Sequence, residues 1–464
     1  MAGQASGTSH AAVVSVQKSA GETDATHGDP QAKWQVVAGL ILSSVFLQSL
    51  KPSDPYLVHY FQDKFQLTPD DTSHFIWPFY TFGYALALTP VAVLAEYVLD
   101  YPHVVVLGLL ARVASQFILY YGMTLTAIQS CQALFGLASS TKIVNGALLY
   151  SLIPIDVFHR IVLAPRATCA LQHSSATCLQ AGIRICVFHG SFTIIRAGST
   201  GWLLRDRLGV PYSILFHTSQ ASSVAGLILF ACALSRPRRI RTKRSSLREQ
   251  WFALKALVGR SRQIRLWSAW FWVGTACSEL VLNMDTTLFK AVASWNQHNG
   301  LVLAAGRVAA CGSALVCNRW RAEFDQHAPR IVMVSALSTG ALLLIASQST
   351  WIAVTHACII LFYSLQELSF CAASAQIAVR TGDDLRLVVL FVNTLLSLIV
   401  QSLIQLVLGP WALQATVRSK FACLGTLLLI LAGCIAVVTI VAQNNRRRLR
   451  TEPVSTSAIE LDSL

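Results

Sequence analysis

The sequence predicts an all-α membrane protein whose helices, about twelve in number, form two six-helix bundles. Hydrophobic segments long enough to span a bilayer recur about twelve times along the 464 residues. Hydrophobic residues make up 54% of the chain and charged residues only 12%, so most of the chain suits lipid better than water. A basic stretch at 236–265 lies close to the midpoint and leaves six predicted spans on each side.

Each predicted span is an apolar stretch of about twenty residues, the length that crosses a bilayer as a helix. The fifth has the weakest signal, because His173, Gln180, Arg184 and His189 interrupt it. The predicted spans are 34–50, 75–95, 103–122, 124–153, 167–195, 210–235, 266–289, 299–318, 330–348, 351–378, 386–408 and 419–443.

The position of the basic loop predicts the domain organisation. Six spans on each side of a long cytosolic loop is the layout of the major-facilitator architecture, in which two bundles rock about a central site. Within the loop, residues 248–258 are expected to form either an amphipathic helix or a solvated linker. The expected units are a disordered cytosolic tail at 1–33, a bundle at 34–235, the basic loop at 236–265, a bundle at 266–443 and a cytosolic tail at 444–464.

The distribution of basic residues predicts the orientation. The tails and even-numbered loops, together with the span ends beside them, hold 24 Lys and Arg residues, and the odd-numbered loops counted in the same way hold 8, so the positive-inside rule places both termini in the cytoplasm. We expect the plasma membrane as the location. The net charge of +14 comes mainly from the 236–265 loop and the C-terminal tail, and basic residues beside spans favour anionic lipid as the partner rather than nucleic acid.

The motifs of soluble enzymes do not occur in the sequence. It contains no Walker A sequence, no GxSxG, no HExxH and no Gly-rich dinucleotide turn, which argues against ATP-driven pumping and enzymatic activity. The twelve cysteines are scattered singly without a CxxC pair, so neither a zinc site nor a disulfide framework is expected. We therefore predict no cofactor and no metal.

Lys142 is the most informative charged residue, because it lies in the middle of the fourth predicted span. An ionisable residue at this depth is costly unless it faces an aqueous cavity or a partner. One hypothesis makes Lys142 a fixed cation for an anionic substrate. The alternative is a structural pair with one of three carboxylates, which are Glu279, Asp285 and Glu367.

Other polar residues within spans are further candidates. Glu279 and Asn283 share one face of the seventh span by their i, i+4 spacing, and either Glu279 or Asp285 could be a counter-ion or proton site. For Asp285 a position at the helix end near the outer interface is an equal alternative. Buried polar residues also serve helix packing, which is the competing interpretation of Gln401 and of Glu367. For Arg112 we favour a structural role, for example a pair with Glu96.

Several strings resemble the reduced folate carrier and thiamine transporter family, solute carrier family 19. Lys51-Pro-Ser-Asp-Pro-Tyr-Leu57 is similar to the Arg-Pro-(Ser/Gly)-Glu signature that follows the first span of that family. Its two prolines stiffen the exit from the helix and hold Asp54 near the outer mouth. The resemblance covers about residues 36–440, and the other matching strings are Pro78–Val91, Leu134–Ser151, Asn299-Gly300, Gln376–Ala378 and Val392–Gln401.

The resemblance implies roles for particular residues. An Arg of the folate carriers falls on Lys142, where the thiamine carriers have a Glu, so the charge here suits an anion. Tyr80 and Asn283 fall on an aromatic residue and an Asn that contact the vitamin in relatives, consistent with stacking of a flat heterocycle. A second acidic residue of the thiamine carriers falls on Leu303, which cannot neutralise a cation.

The sequence also departs from the family. The folate carriers have an Arg at the position of Tyr363 and a Lys at that of Gln401, so two cations expected for a dicarboxylate are absent. Glu96 replaces an Asp whose Arg partner corresponds to Leu99, which weakens the inner pair. Both Tyr363 and Gln401 still fall on substrate-binding positions, and the substrate is either a folate, another organic anion such as a thiamine phosphate, or a compound outside the vitamins.

The sequence therefore predicts a carrier that moves a vitamin-like organic anion, a reduced folate before others, by alternating access. The transport is expected to be exchange against a counter-anion or coupling to an ion such as the proton. The alternative substrate is thiamine or thiamine phosphate. A membrane receptor that binds without transporting and an intramembrane enzyme are the alternatives from other classes.

Overall fold

The fold is all-helical in the part of the chain that the structure describes. A computed structural model describes residues 30–152, 198–235, 247–293, 298–319, 321–381 and 385–451, and it places no β-strand in them. The α-helices are α1 Pro30–Ser49, α2 Leu57–Phe65, α3 Pro69–Phe75, α4 Trp77–Val93, α5 Tyr101–Tyr121, α6 Leu125–Leu152, α7 Tyr212–Leu234, α8 Leu247–Arg260, α9 Arg262–Val292, α10 Asn299–Arg319, α11 Arg321–Gln348, α12 Ile352–Arg380, α13 Arg386–Leu408 and α14 Val417–Thr451.

The helix boundaries follow from local sequence. Pro69, Pro78 and Pro102 occupy the first turns of α3, α4 and α5, where a missing backbone N–H has no cost. Thr68 and Asp71 form a capping box at the start of α3, in which each side chain accepts a hydrogen bond from the backbone N–H of the other residue. These starts set the direction in which α4 and α5 enter the bundle.

Every predicted span except 167–195 falls on a helix, and 167–195 lies outside the described residues. Among the described residues, 8 helices are long and apolar enough to cross a membrane, and these lie in α3 with α4, and in α5, α7, α10, α11, α12, α13 and α14. The predicted spans 34–50, 124–153 and 266–289 lie in α1, α6 and α9. The basic loop contains a helix, α8, which agrees with the helical alternative for 248–258.

The helices pack as two groups. In the first, α1 contacts α7, α4 contacts α6, and α5 contacts both α6 and α7. In the second, α9 contacts α12, α13 and α14, while α12 and α14 each pack on α11. The main contact between the groups is that of α13 with α4. The first group is called the N-half below and the second the C-half.

Two glycines let α4 and α6 approach closely. A Cβ atom on Gly136 would lie 2.5 Å from the carbonyl oxygen of Tyr80, and one on Gly83 would lie 2.7 Å from that of Ala133. Real Cβ atoms do not come this near to backbone oxygens, so a side chain at either position would push the helices apart. The close approach brings Tyr80 of α4 beside the side chains of α6.

Hydrogen bonds join α3, which leads directly into α4 of the N-half, to α14 of the C-half at one end of the bundles. Lys420, at the start of α14, is buried and donates to the hydroxyl of Ser73 at 2.8 Å, and its Nζ lies 3.2 Å from the Nδ1 of His74. The backbone N–H of Val417 donates to Asp70 at 2.7 Å. We call this set, α3 against the start of α14, the seam.

Candidate substrate site

The ring of Phe135, on α6, is the centre of a cluster of cations and aromatic residues. The Nζ of Lys51 lies 3.9 Å from the ring centroid and the guanidinium carbon of Arg112 lies 5.0 Å from it. The ring of Tyr80 is 5.4 Å away, centroid to centroid. Cations over an aromatic face are attracted by its quadrupole. We call Lys51, Arg112, Phe135 and Lys142 the cationic wall.

Lys142 belongs to this wall through the geometry of α6. It follows Phe135 by seven residues, or two helical turns, so the two side chains lie on one face. Lys142 is half-buried and interacts electrostatically with Arg112 on its own side and with Glu279 on the other. Tyr80 donates to the buried hydroxyl of Ser139, one turn before Lys142, at 3.4 Å.

Lys51 lies outside the spanning helices, in the bend that follows α1, and is buried. Burial lowers the pKa of Lys51 because its ammonium group loses hydration; the charge of Asp54 opposes this shift, and the charges of Arg112 and Lys142 add to it. Asp54 itself is exposed, in the single turn Asp54–Tyr56. The positive charges of the wall therefore repel one another, and an anion bound among them would reduce this repulsion.

Glu279, on α9, interacts with this wall, and Asn283 lies one helical turn further along the same helix. Both are half-buried, and Glu279 interacts electrostatically with Lys142 and with Arg307 of α10. The Nδ2 of Asn283 is buried and has no hydrogen-bond acceptor among the described residues. Such a donor is costly to leave unpaired, so it is available to a ligand that brings an acceptor.

Asp285 and Tyr363, in contrast, form a hydrogen bond with each other. Asp285 is buried, and its Oδ2 accepts a hydrogen bond from the hydroxyl of Tyr363 at 2.6 Å. The guanidinium carbon of Arg307 lies 5.1 Å from the centroid of the Tyr363 ring. Asp285 is thus a buried residue that interacts with Arg307, and it lies seven residues before the end of α9, so its placement near the outer end of the helix stays a prediction.

The remaining predicted residues lie in other surroundings. Gln401 is buried and donates to the hydroxyl of Thr81 at 3.0 Å, which joins α13 to α4. Glu96 accepts a hydrogen bond from the hydroxyl of Tyr101 at 3.2 Å, within the N-half. Arg112 lies against Phe135 and near Asp54, so the expected pair of Arg112 with Glu96 is replaced by these contacts.

Sequence reasoning missed two members of the wall. The sequence shows Lys51 only as part of the signature after the first span, and it does not single out Phe135. The seven-residue spacing from Phe135 to Lys142 was a usable signal, since it puts an aromatic residue on the face of the buried lysine. Only the folded chain brings Lys51 to that ring.

Comparisons with known proteins agree with a transporter. The family profile described as "Reduced folate carrier" matches residues 32–195 and 233–422. "Folate transporter 1" of Caenorhabditis elegans is 20% identical over 84% of this chain and 88% of its own length. "Thiamine transporter 2" of Macaca fascicularis is 21% identical over 88% of this chain and 91% of its own length.

The fold is also similar to a solved structure. A crystal structure of a POT family transporter in complex with a thioalcohol-conjugated peptide superposes with a TM-score of 0.62 over 89% of this chain and 97% of that chain. The identity is 11%, so this likeness concerns the fold alone. It supports the major-facilitator-type arrangement of the two halves.

Proposed function

Because this chain belongs to the reduced folate carrier family, we propose that it is a secondary-active transporter of a vitamin-class organic anion, a reduced folate before others. The protein is a multi-pass membrane transporter rather than an enzyme. The residues of the site give the most direct evidence about the charge of the substrate. The relatives' names include both folate and thiamine transporters, so the evidence that distinguishes the two substrates has to come from the site.

The cationic wall is the observation that carries the proposal. Two cations, Lys51 and Arg112, lie over one aromatic ring, and a third, Lys142, lies on the same face of α6 as that ring and interacts with Arg112. No hydrogen bond or ion pair joins any of the three to a carboxylate among the described residues. Three cations in one region outnumber the two carboxylates that interact with them, Asp54 and Glu279, and charged residues inside a membrane protein commonly serve function. A carboxylate or phosphate is the ligand that complements them.

The aromatic residues of the site complement a flat heterocycle. The ring of Tyr80 lies beside Phe135, and aromatic rings at this separation offer a surface on which a planar ligand packs. The unpaired Nδ2 of Asn283 supplies a hydrogen-bond donor from the C-half. A reduced folate has both required parts, a ring system with hydrogen-bond acceptors and an anionic tail.

The mechanism that we propose is alternating access. The substrate would sit between the N-half and the C-half, and the halves would rock about it. In the described structure the seam holds the halves together at one end, which the charge distribution assigns to the outside. Release of substrate would then occur toward the cytoplasm, where we place both termini, and the plasma membrane is the expected location. A counter-anion or a coupling ion would drive the cycle.

Thiamine, or thiamine phosphate, is the second candidate, and Glu279 is the observation that favours it. A carboxylate within electrostatic range of Lys142 neutralises part of the cationic wall and could receive a cationic ring. The related "Thiamine transporter 2" shows that this fold family includes such carriers. Under this alternative, replacement of Glu279 by Gln should abolish uptake of thiamine, whereas uptake of an anion should persist.

Uptake of labelled compounds tests the proposal. The full-length protein would be expressed in cells that lack their own folate and thiamine carriers, and uptake of 5-formyltetrahydrofolate and of thiamine would be measured. We expect saturable uptake of the folate that accelerates when the opposite side is preloaded with it. A receptor would bind ligand without flux. Saturable uptake of thiamine alone would replace the proposed substrate by the alternative.

A further inference from the structure

We infer that Arg112 is a second anion-binding side chain, which grips the same carboxylate or phosphate as Lys142. The inference rests on the proposed function, in that it concerns the same site. It changes the interpretation of Arg112, because sequence reasoning gave this residue a structural role. The contacts of Arg112, rather than its position in the sequence, carry the argument.

The first step is the unpaired donor of Arg112. Its Nε is buried, and the described residues offer that nitrogen no hydrogen-bond acceptor. A guanidinium cannot lose its proton in a protein, so it cannot escape the cost of this burial by becoming neutral. A structural arginine at this depth would be expected to bond a carboxylate or a backbone carbonyl.

The second step is the charge around Arg112. The groups that interact with it electrostatically are Asp54, Tyr80, Lys51 and Lys142, from the bend after α1 and from α4 and α6. Asp54 is the only carboxylate among these groups; it is exposed, and it also interacts with Lys51. Two cations therefore share one solvated anion, and Lys142 adds a third positive charge that Asp54 does not satisfy.

The third step is orientation. The guanidinium lies 5.0 Å from the centroid of Phe135, a distance at which the ring holds the cation by its quadrupole. The guanidinium is planar, and a pair of its N–H groups matches the two oxygens of a carboxylate or phosphate. Lys142, which offers only a point charge, would contribute attraction without this geometry.

The ligand class follows from the three steps. An anion that places two negative charges in one region, such as a dicarboxylate tail or a phosphate monoester, complements Arg112 and Lys142 together. For a compound that keeps the same rings but lacks one of these charges, Arg112 should contribute much less to the binding affinity. The C-half offers no substitute at the two other predicted positions, because Tyr363 is bonded to Asp285 and Gln401 to Thr81.

The test compares matched ligands on the full-length protein. Folic acid and pteroic acid share their ring system but carry two carboxylates and one carboxylate. The variants are Arg112→Gln and Arg112→Lys. The matched control is Arg205→Gln, because Arg205 also lies on an aromatic ring, 4.0 Å from that of Tyr212, but donates to the carbonyl of Val210 at 3.1 Å. Surface expression and the KM and maximal rate of uptake would be measured together.

We expect Arg112→Gln to raise the KM for folic acid roughly tenfold to hundredfold, which is the size of a charge-assisted contact. The KM for pteroic acid should change much less. Arg112→Lys should restore part of the lost affinity for folic acid, since the positive charge returns without the planar pair of N–H donors. Arg205→Gln should leave the preference for folic acid unchanged. Equal losses for both ligands, or a lower maximal rate with an unchanged KM, would overturn the inference.

A second measurement separates this inference from the choice of vitamin. Pyrophosphate, thiamine monophosphate and thiamine would be tested for thermal stabilisation of the purified protein. If the folate proposal fails, Arg112→Gln should still remove the stabilisation by pyrophosphate and the preference for thiamine monophosphate over thiamine. Two results would refute the role of Arg112 whichever vitamin is carried. Either pyrophosphate does not stabilise the wild-type protein, or it still stabilises the Arg112→Gln variant.

Discussion

The hydroxyl of Tyr363, on α12, donates a hydrogen bond to the Oδ2 of Asp285, on α9, at 2.6 Å. Both residues are buried, with 5% and 2% of their surface exposed. The bond ties two helices of the C-half together and gives the carboxylate its only side-chain donor among the described residues. The hydroxyl of Tyr363 therefore has a buried protein partner in this structure.

Replacement of Tyr363 by Phe should destabilise the protein. The ring would remain, but the carboxylate of Asp285 would lose its side-chain donor in a buried setting, a loss of about 1–3 kcal/mol in the free energy of unfolding. Thermal unfolding of the detergent-purified protein would measure the effect, with exposed Tyr121→Phe as the control. A melting temperature equal to that of the control would show that the bond contributes nothing.

Cysteine substitutions should locate the walls of the site. If Tyr80 and Asn283 face one cavity from opposite halves, Tyr80→Cys and Asn283→Cys should react with small alkylating reagents, and substrate should protect both. The background protein would first have Cys232, Cys423 and Cys434, the cysteines that are exposed among the described residues, replaced by Ser. If neither introduced thiol reacts from either side, the two residues serve packing and the cavity lies elsewhere.

Loss of the seam should open the outer end. Lys420→Met removes the hydrogen bonds to Ser73 and His74. Each lost bond is worth about 1 kcal/mol, or roughly fivefold in the ratio of open to closed molecules. Alkylation of Asn283→Cys by an impermeant reagent added outside should therefore accelerate. Arg418→Met, on the same turn of α14, is the control, and equal rates for both variants would contradict the role of the seam.

The Lys and Arg distribution fixes a separate prediction about topology. An epitope tag inserted in 236–246 should be reached by antibody only after the cells are permeabilised, because the positive-inside rule keeps this loop in the cytosol. A tag in the loop at 409–416, which joins α13 to α14, should be reached in intact cells. Labelling of the first tag in intact cells would invert the orientation, and with it the assignment of the seam to the outside.

The helical fold was predictable because its signals are local. Spans are continuous apolar stretches, and prolines at helix starts and glycines such as Gly83 and Gly136 are visible in the sequence. The site was predictable only in part. Lys142 was identified from its cost in lipid alone, but its neighbours are set by tertiary packing. Lys51 reaches Phe135 through the bend after α1, and no periodicity in the sequence encodes that contact.

Arg112 and Asp285 also show that the sequence alone does not reveal the partners of a charged residue. Both carry a charge inside a predicted span, which marks them as important but does not say why. The structure separates them, since Asp285 is bonded to Tyr363 while the Nε of Arg112 has no acceptor among the described residues. That difference depends on which side chains the other helices bring, and a single sequence does not contain it.

The charge of Lys142 is the most direct test of the central claim, which is that the protein carries an anion. Lys142→Arg should keep much of the folate uptake, because the charge persists. Lys142→Gln should reduce affinity by about 1.5–3 kcal/mol, roughly tenfold to hundredfold, at normal surface expression, and Lys142→Glu should favour a cation such as thiamine.

Misfolding of Lys142→Gln that is rescued by neutralising Glu279, Asp285 or Glu367 would make the lysine half of a structural pair. The decisive measurement is therefore the uptake of 5-formyltetrahydrofolate by a well-expressed Lys142→Gln protein. We predict that uptake falls to near background, and unchanged uptake would contradict the anion site.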